Sequence, residues 1–147
     1  MNRMSPRFWA MPALVLAACA SVPKAPPERD LAAKQFQVFP GKAQLYVFRD
    51  ESLGGAVRMS VLLDGRWIGD TAAQTFLTVP VDPGPHKLLS KAENDSEIEF
   101  TAEPDQAVFV WQEVKMGLWS ARSKLQLKDE TTGRAAVSNC SLVQGPF

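Results

Sequence analysis

From residue 43 onward, apolar and polar positions alternate with a period near two, the repeat of half-buried strands. Residues 43–48 read as a first strand. Across 57–63, Val57, Met59, Val61 and Leu63 share one face, with Arg58 and Ser60 on the other. Asp64-Gly65 follows at once. Asp-Gly between apolar strands predicts a two-residue type I′ hairpin, in which both central residues take positive φ. The return strand starts over 66–69, and 76–81 forms another, in which Pro80 predicts an edge or a bulge. Asp82-Pro83-Gly84-Pro85 is turn chemistry, and 86–90 leads away from it. Residues 97–101 place Ile98 and Phe100 on one face and Glu97 and Glu99 on the other.

Residues 106–116 look the most buried, apolar on both faces around Val108, Phe109, Val110 and Trp111. Over 118–128, Trp119, Ala121, Leu125 and Leu127 are expected to point inward, and Arg122, Lys124, Gln126 and Lys128 outward. The Glu97/Glu99 and Arg122/Lys124 faces are expected to pair across strands. Over 131–142 the period of two is lost, and Ala135, Ala136, Asn139 and Cys140 suit one short helix lying on the sheet. Seven or eight short strands, with turns roughly every eight to twelve residues, predict a mainly β fold. Its expected form is a small antiparallel β-sandwich with a short C-terminal helix, spanning 41–147.

The chain before residue 41 follows other rules. Arg3 and Arg7 make a positive start, and 8–18 is apolar apart from Pro12. That run is too short for a bilayer span, which takes roughly 20 residues, and Pro12 would break a buried helix. Charged start, short apolar run and small residues predict a secretory signal peptide over 1–18. Leu16-Ala17-Ala18-Cys19 resembles the bacterial lipobox. The resemblance implies that the Cys19 thiol takes diacylglycerol, that cleavage falls between Ala18 and Cys19, and that the new amine is acylated with palmitate-type chains. Two or more chains, at about 0.8 kcal/mol per buried CH₂, give stable anchoring. Residues 19–40 are read as the lipidated Cys19 and a Pro-rich flexible tether through Glu28, with a short helix over 30–36 capped by Asp30.

Composition narrows the function classes. At 147 residues the chain holds one domain of common size, and without Arg3 and Arg7 it keeps 14 Lys and Arg against 16 Asp and Glu. That slight negative balance gives no field to hold nucleic acid.

Three stretches in order carry a family likeness. They are Ala43-Gln44-Leu45-Tyr46-Val47-Phe48-Arg49, Leu63-Asp64-Gly65-Arg66-Trp67-Ile68-Gly69 and Val81-Asp82-Pro83-Gly84-Pro85-His86. Behind a lipobox they resemble the domain-of-unknown-function 2846 family of bacterial lipoproteins, over about 36–142 including the stretch near Gly133. The strand, Asp-Gly-Arg, strand, Pro-Gly-x-His section also looks like PEGA-type surface domains. The resemblance implies a small envelope β-sandwich and supplies no substrate or catalytic residue.

The polar inventory does not assemble an active site, a metal site or a cofactor site. His86 is the one histidine, placed where a turn runs into a strand, and is read as fixing that turn. One His and one remaining Cys fall short of the three or four ligands of a zinc site. Cys140, the second of two cysteines, reads as a small buried residue, with an intermolecular disulfide as its alternative. Glu93, Asp95, Glu97 and Glu99 read as a solvated loop and strand face rather than a glycosidase pair. Gly54-Gly55 is a turn, not a phosphate loop. Trp111 and Trp119 are assigned to the core, leaving Trp67 as the candidate binding surface beside loops 50–56 and 92–96.

The expected protein is thus a lipid-anchored bacterial envelope module that binds another envelope protein or cell-wall component, or is structural, without catalysis. Ala20 is not the Asp that commonly retains lipoproteins at the inner membrane, so the expected site is the outer membrane, facing the periplasm. Cell-wall hydrolase and carrier of a small apolar ligand are the alternatives.

Overall fold

The computed structural model describes residues 21–52, 55, 57–119 and 121–146. The expected signal segment 1–18 with Ala18, the expected lipidation residue Cys19, and Leu53, Gly54 and Ala56 of the 50–56 loop lie outside the described residues.

The fold is mainly β, with two packed sheets and a short C-terminal helix. β1 (Ala43–Arg49), β4 (Thr75–Val81), β7 (Ala107–Met116), β8 (Ala121–Lys128) and the two-residue β9 (Ser141–Leu142) form one sheet, in the order β8-β7-β1-β4-β9. β2 (Met59–Leu63), β3 (Arg66–Thr71), β5 (Gly84–Lys91) and β6 (Asp95–Ala102) form the other, in the order β3-β2-β5-β6. The pairing is largely antiparallel, with two departures: β1–β7 and β4–β9 are parallel. The cause is the chain path. After β4 the chain makes the β5–β6 hairpin in the opposite sheet, which returns it to the end where β1 starts, so β7 runs beside β1 in the same sense.

Both faces of the first sheet are covered, which explains why all seven residues of β1 are buried. Leu45, Val47 and Val110 face the sandwich core with Val61, Leu77, Leu88 and Phe100. Tyr46, Phe48, Phe76 and Phe109 face outward under α2 (Glu130–Ser138), against Ala136, Val137 and Cys140. α2 starts where Asp129 accepts a hydrogen bond from the Thr132 N–H at 2.9 Å, and Gly133 lets it lie directly on Phe109. The sheets are also tied by a buried polar bridge. Gln112 of β7 donates to Ser90 at 2.6 Å and accepts from Thr71 at 2.5 Å, so it is satisfied from two strands of the facing sheet, β5 and β3.

The β2–β3 hairpin turns through Asp64 (φ 50°) and Gly65 (φ 79°), the two positive values that a type I′ turn requires. Pro80 lies beyond the two residues at which β9 pairs with β4, where no ladder donor is needed on that side.

Three expectations are corrected. The helix near the N-terminus is α1 (Pro27–Ala33), beginning at a proline rather than at Asp30. A proline fits the first helical position because its missing N–H would have no partner there. Asp30 lies inside α1 and accepts from the Leu142 N–H at 2.7 Å and from Lys34. The Pro-rich segment is also not a free tether throughout. Val22 is buried, Lys24 bridges Val143, and Ala25 N–H donates to Leu142 carbonyl at 2.9 Å. Finally, β8 begins only at Ala121. Leu118 and Trp119 therefore lie in the turn before it, exposed, and Leu127 near its end is half-exposed.

Candidate binding site

The strand directions give the sandwich two ends. At the first lie the start of β1, the end of β4, the Asp64-Gly65 hairpin and the β4–β5 turn. His86 stands there with Nδ1 2.7 Å from Asp64 Oδ2 and Nε2 2.7 Å from the Asp82 carbonyl. Asp64 also accepts from the Lys87 N–H at 2.9 Å, and Asp82 pairs with Lys42. Burial alone would lower the His86 pKa. The Asp82 carbonyl and Asp64 carboxylate outweigh it and raise the pKa above its ordinary value. Asp64 is held below the usual carboxylate range, where hydrogen bonds from Lys87 and His86 outweigh its partial burial. With an acceptor at each ring nitrogen, the imidazolium fits this place best, and it clasps the hairpin to the neighbouring turn.

Beside this clasp an open groove of about 350 Å³ runs between β3 and β4. Leu63, Ile68, Val79 and Val81 line it, with Arg66 and His86 at the rim. Trp67 is half-exposed on the outer face of β3, and its indole N–H donates to Asp70 at 2.9 Å.

At the opposite end, β7 runs into β8 through the most exposed apolar group among the described residues. Met116, Leu118 and Trp119 are 71%, 89% and 93% exposed. Lys115, Arg122 and Lys124 flank them, all exposed. Glu93 of the β5–β6 turn accepts from the Trp119 N–H at 3.4 Å, setting that turn against the tip. Sequence reasoning missed this feature because Trp119 continues the alternation of Ala121 and Leu125. The signal against a strand was Gly117, whose freedom suits a turn.

The described parts of the two candidate loops are hydrogen-bonded to the sheets. Glu51 accepts from Trp111 Nε1 at 3.1 Å and from the Val114 N–H at 2.5 Å, holding the described part of loop 50–56 against β7. Asn94 exchanges hydrogen bonds with the Ser123 backbone, at 2.9 and 3.0 Å, and Ser96 accepts from the Leu125 N–H. Those side chains close the seam between the edge strands β6 and β8. Glu97 and Glu99 pair with Lys87, at 3.0 and 3.8 Å, rather than with Arg122 and Lys124, because β5 is the ladder neighbour of β6. Trp111 stacks under Lys128, its cation 4.5 Å from the ring centre. Cys140 is buried, with Sγ donating weakly to the Arg49 carbonyl at 3.4 Å, and burial pushes its thiol pKa to about 12.

No family model matches the sequence, and no solved structure matches it. It is 31% identical over 132 residues to a protein of Haemophilus influenzae described as uncharacterized, an alignment covering 88% of this chain and 79% of that one. At that identity and coverage, the chain belongs to one family with the Haemophilus influenzae protein.

Proposed function

We propose that the protein is a lipid-anchored bacterial envelope module, held in the outer membrane through Cys19 and facing the periplasm, that recognises an envelope protein or cell-wall component by surface contact. The observation that carries the binding reading is the tip of Met116, Leu118 and Trp119, exposed together where β7 runs into β8. Three large apolar side chains held in water cost free energy that a partner would recover, and a central Trp with a basic rim is the composition of an interface hot spot. The order of strand, Asp64-Gly65-Arg66 hairpin and Pro83-Gly84-Pro85-His86 turn supports placing the chain in the domain-of-unknown-function 2846 family. The hydrolase alternative has less support, since an acceptor stands at each ring nitrogen of His86 and leaves no nitrogen directed at a substrate. The test is cross-linking in intact cells. Trp119→Ala should lose the cross-linked species while the protein stays folded, and capture as strong as that of the unchanged protein would remove the tip from the account.

A second reading, carriage of a small apolar ligand, is favoured by the groove between β3 and β4, whose volume of about 350 Å³ lies within the usual range of ligand sites. Val79→Arg should then abolish binding of a fluorescent fatty acid.

A further inference from the structure

The described N-terminal segment is tied to the domain almost from its first residue. Val22 packs in the core cluster with Ile68, Val79 and Val143. Gln144 N–H donates to the Pro23 carbonyl at 2.8 Å, Lys24 bridges Val143, and Ala25 N–H donates to Leu142. The segment runs antiparallel to the chain around Val143, which itself follows β4 toward Val79. Its N-terminal side therefore points to the end of the sandwich that holds the Asp64-Gly65 hairpin. Only Ala20 and Ser21 stand between Cys19 and Val22. A fully extended chain covers that step in about 10 Å.

We propose that the end face around Arg66 and Trp67 rests on the phospholipid headgroups of the membrane that holds Cys19. The inference rests on lipidation of Cys19, since the lipid fixes that residue at headgroup level. The face suits such a contact. Trp67 offers an exposed ring whose N–H is already bonded to Asp70, and aromatic rings of this kind collect at membrane–water interfaces. Arg66 and Lys24 are exposed cations that can meet phosphate. Of the nearby acids, Asp64 and Asp82 carry His86 and Lys42 as counter-charges, which reduces repulsion from the headgroups, and Asp70 is held by hydrogen bonds from Ser60 and Trp67. The Met116–Trp119 tip then points away from the bilayer, toward the compartment.

The test uses the full lipidated protein extracted from membranes and placed in phosphatidylethanolamine vesicles containing lipids brominated near the glycerol end of the acyl chain. Bromine quenches tryptophan on contact. In a Trp111→Phe background, which removes the third tryptophan after Cys19, the Trp119→Phe protein should lose most of its Trp67 emission, and the Trp67→Phe protein should keep its Trp119 emission. A flexible Gly-Ser insertion of about twenty residues between Ser21 and Val22 should relieve the quenching of Trp67. Quenching carried by Trp119, or unchanged by the insertion, overturns the orientation. Mass analysis of the same samples separates the two claims: an unmodified Cys19 overturns the anchor and the orientation together, whereas a lipidated Cys19 with unquenched Trp67 overturns the orientation alone.

Discussion

A side chain at Gly65 would have open space around it but the wrong backbone, since φ is 79° there. A β-branched residue resists that conformation, so Gly65→Val should destabilise the protein by about 1–3 kcal/mol. A shift in the urea midpoint at unchanged slope is the readout. At Gly133 the reverse holds: the position is helical, but an added Cβ would sit 2.2 Å from the Phe109 ring. Ala gains about 1 kcal/mol of helix propensity over Gly, and overpacking a core costs about 1–3 kcal/mol. Because the obstacle is Cβ and Cγ of a fully buried Phe, which cannot swing aside, Gly133→Ala should be net destabilising. His86 sets a pH dependence. Its folded pKa is raised, so its contribution is complete below the ordinary imidazole value of about 6.5 and is lost as pH rises through the folded value. Stability should therefore decline on the alkaline side of about pH 6.5, and His86→Gln should flatten that slope in denaturation series. Cys140, with its pKa pushed to about 12, should stay unreactive toward thiol reagents until the protein unfolds.

At the scale of elements, strand alternation made most of the sheet legible, because a period of two survives wherever one face is buried. Asp64-Gly65 was legible for a stricter reason: few dipeptides accept two positive φ values in succession. What stayed hidden was set by distant contacts. The docking of Val22 to Ala25 depends on backbone groups of 142–144, more than a hundred residues away, and leaves no periodicity in a segment of three residue steps. Trp119 obeys the alternation of β8 yet falls in the turn, because β7–β8 pairing ends at Met116 and Ala121. The fastening of Asn94 to Ser123 is likewise a cross-sheet contact that the local sequence does not encode. For α2 the cap is local and testable. Asp129→Ala should cost about 1 kcal/mol, read from the same denaturation curve.

Taken as a whole molecule, the sandwich separates two surfaces. The end near Val22 carries the chain toward Cys19, and the end with Met116, Leu118 and Trp119 holds exposed apolar surface. Rigid connection between them comes from sheet order: β7, which ends at the tip, lies beside the central strand β1, and β4 beyond it carries β9 and the docked segment. On the proposed attachment at Cys19, this build would present the tip at a fixed height above the bilayer, where a flexible tether would let it wander. All of this depends on the attachment at Cys19, and the most direct measurement is the intact mass of the protein extracted from the bacterial membrane fraction. The expected result is a chain that starts at Cys19 and carries the added mass of a diacylglyceryl group and an N-acyl chain, with Cys19→Ser left uncut and unmodified. A membrane-extracted protein that retains residues 1–18, or that starts elsewhere with Cys19 unmodified, would contradict it.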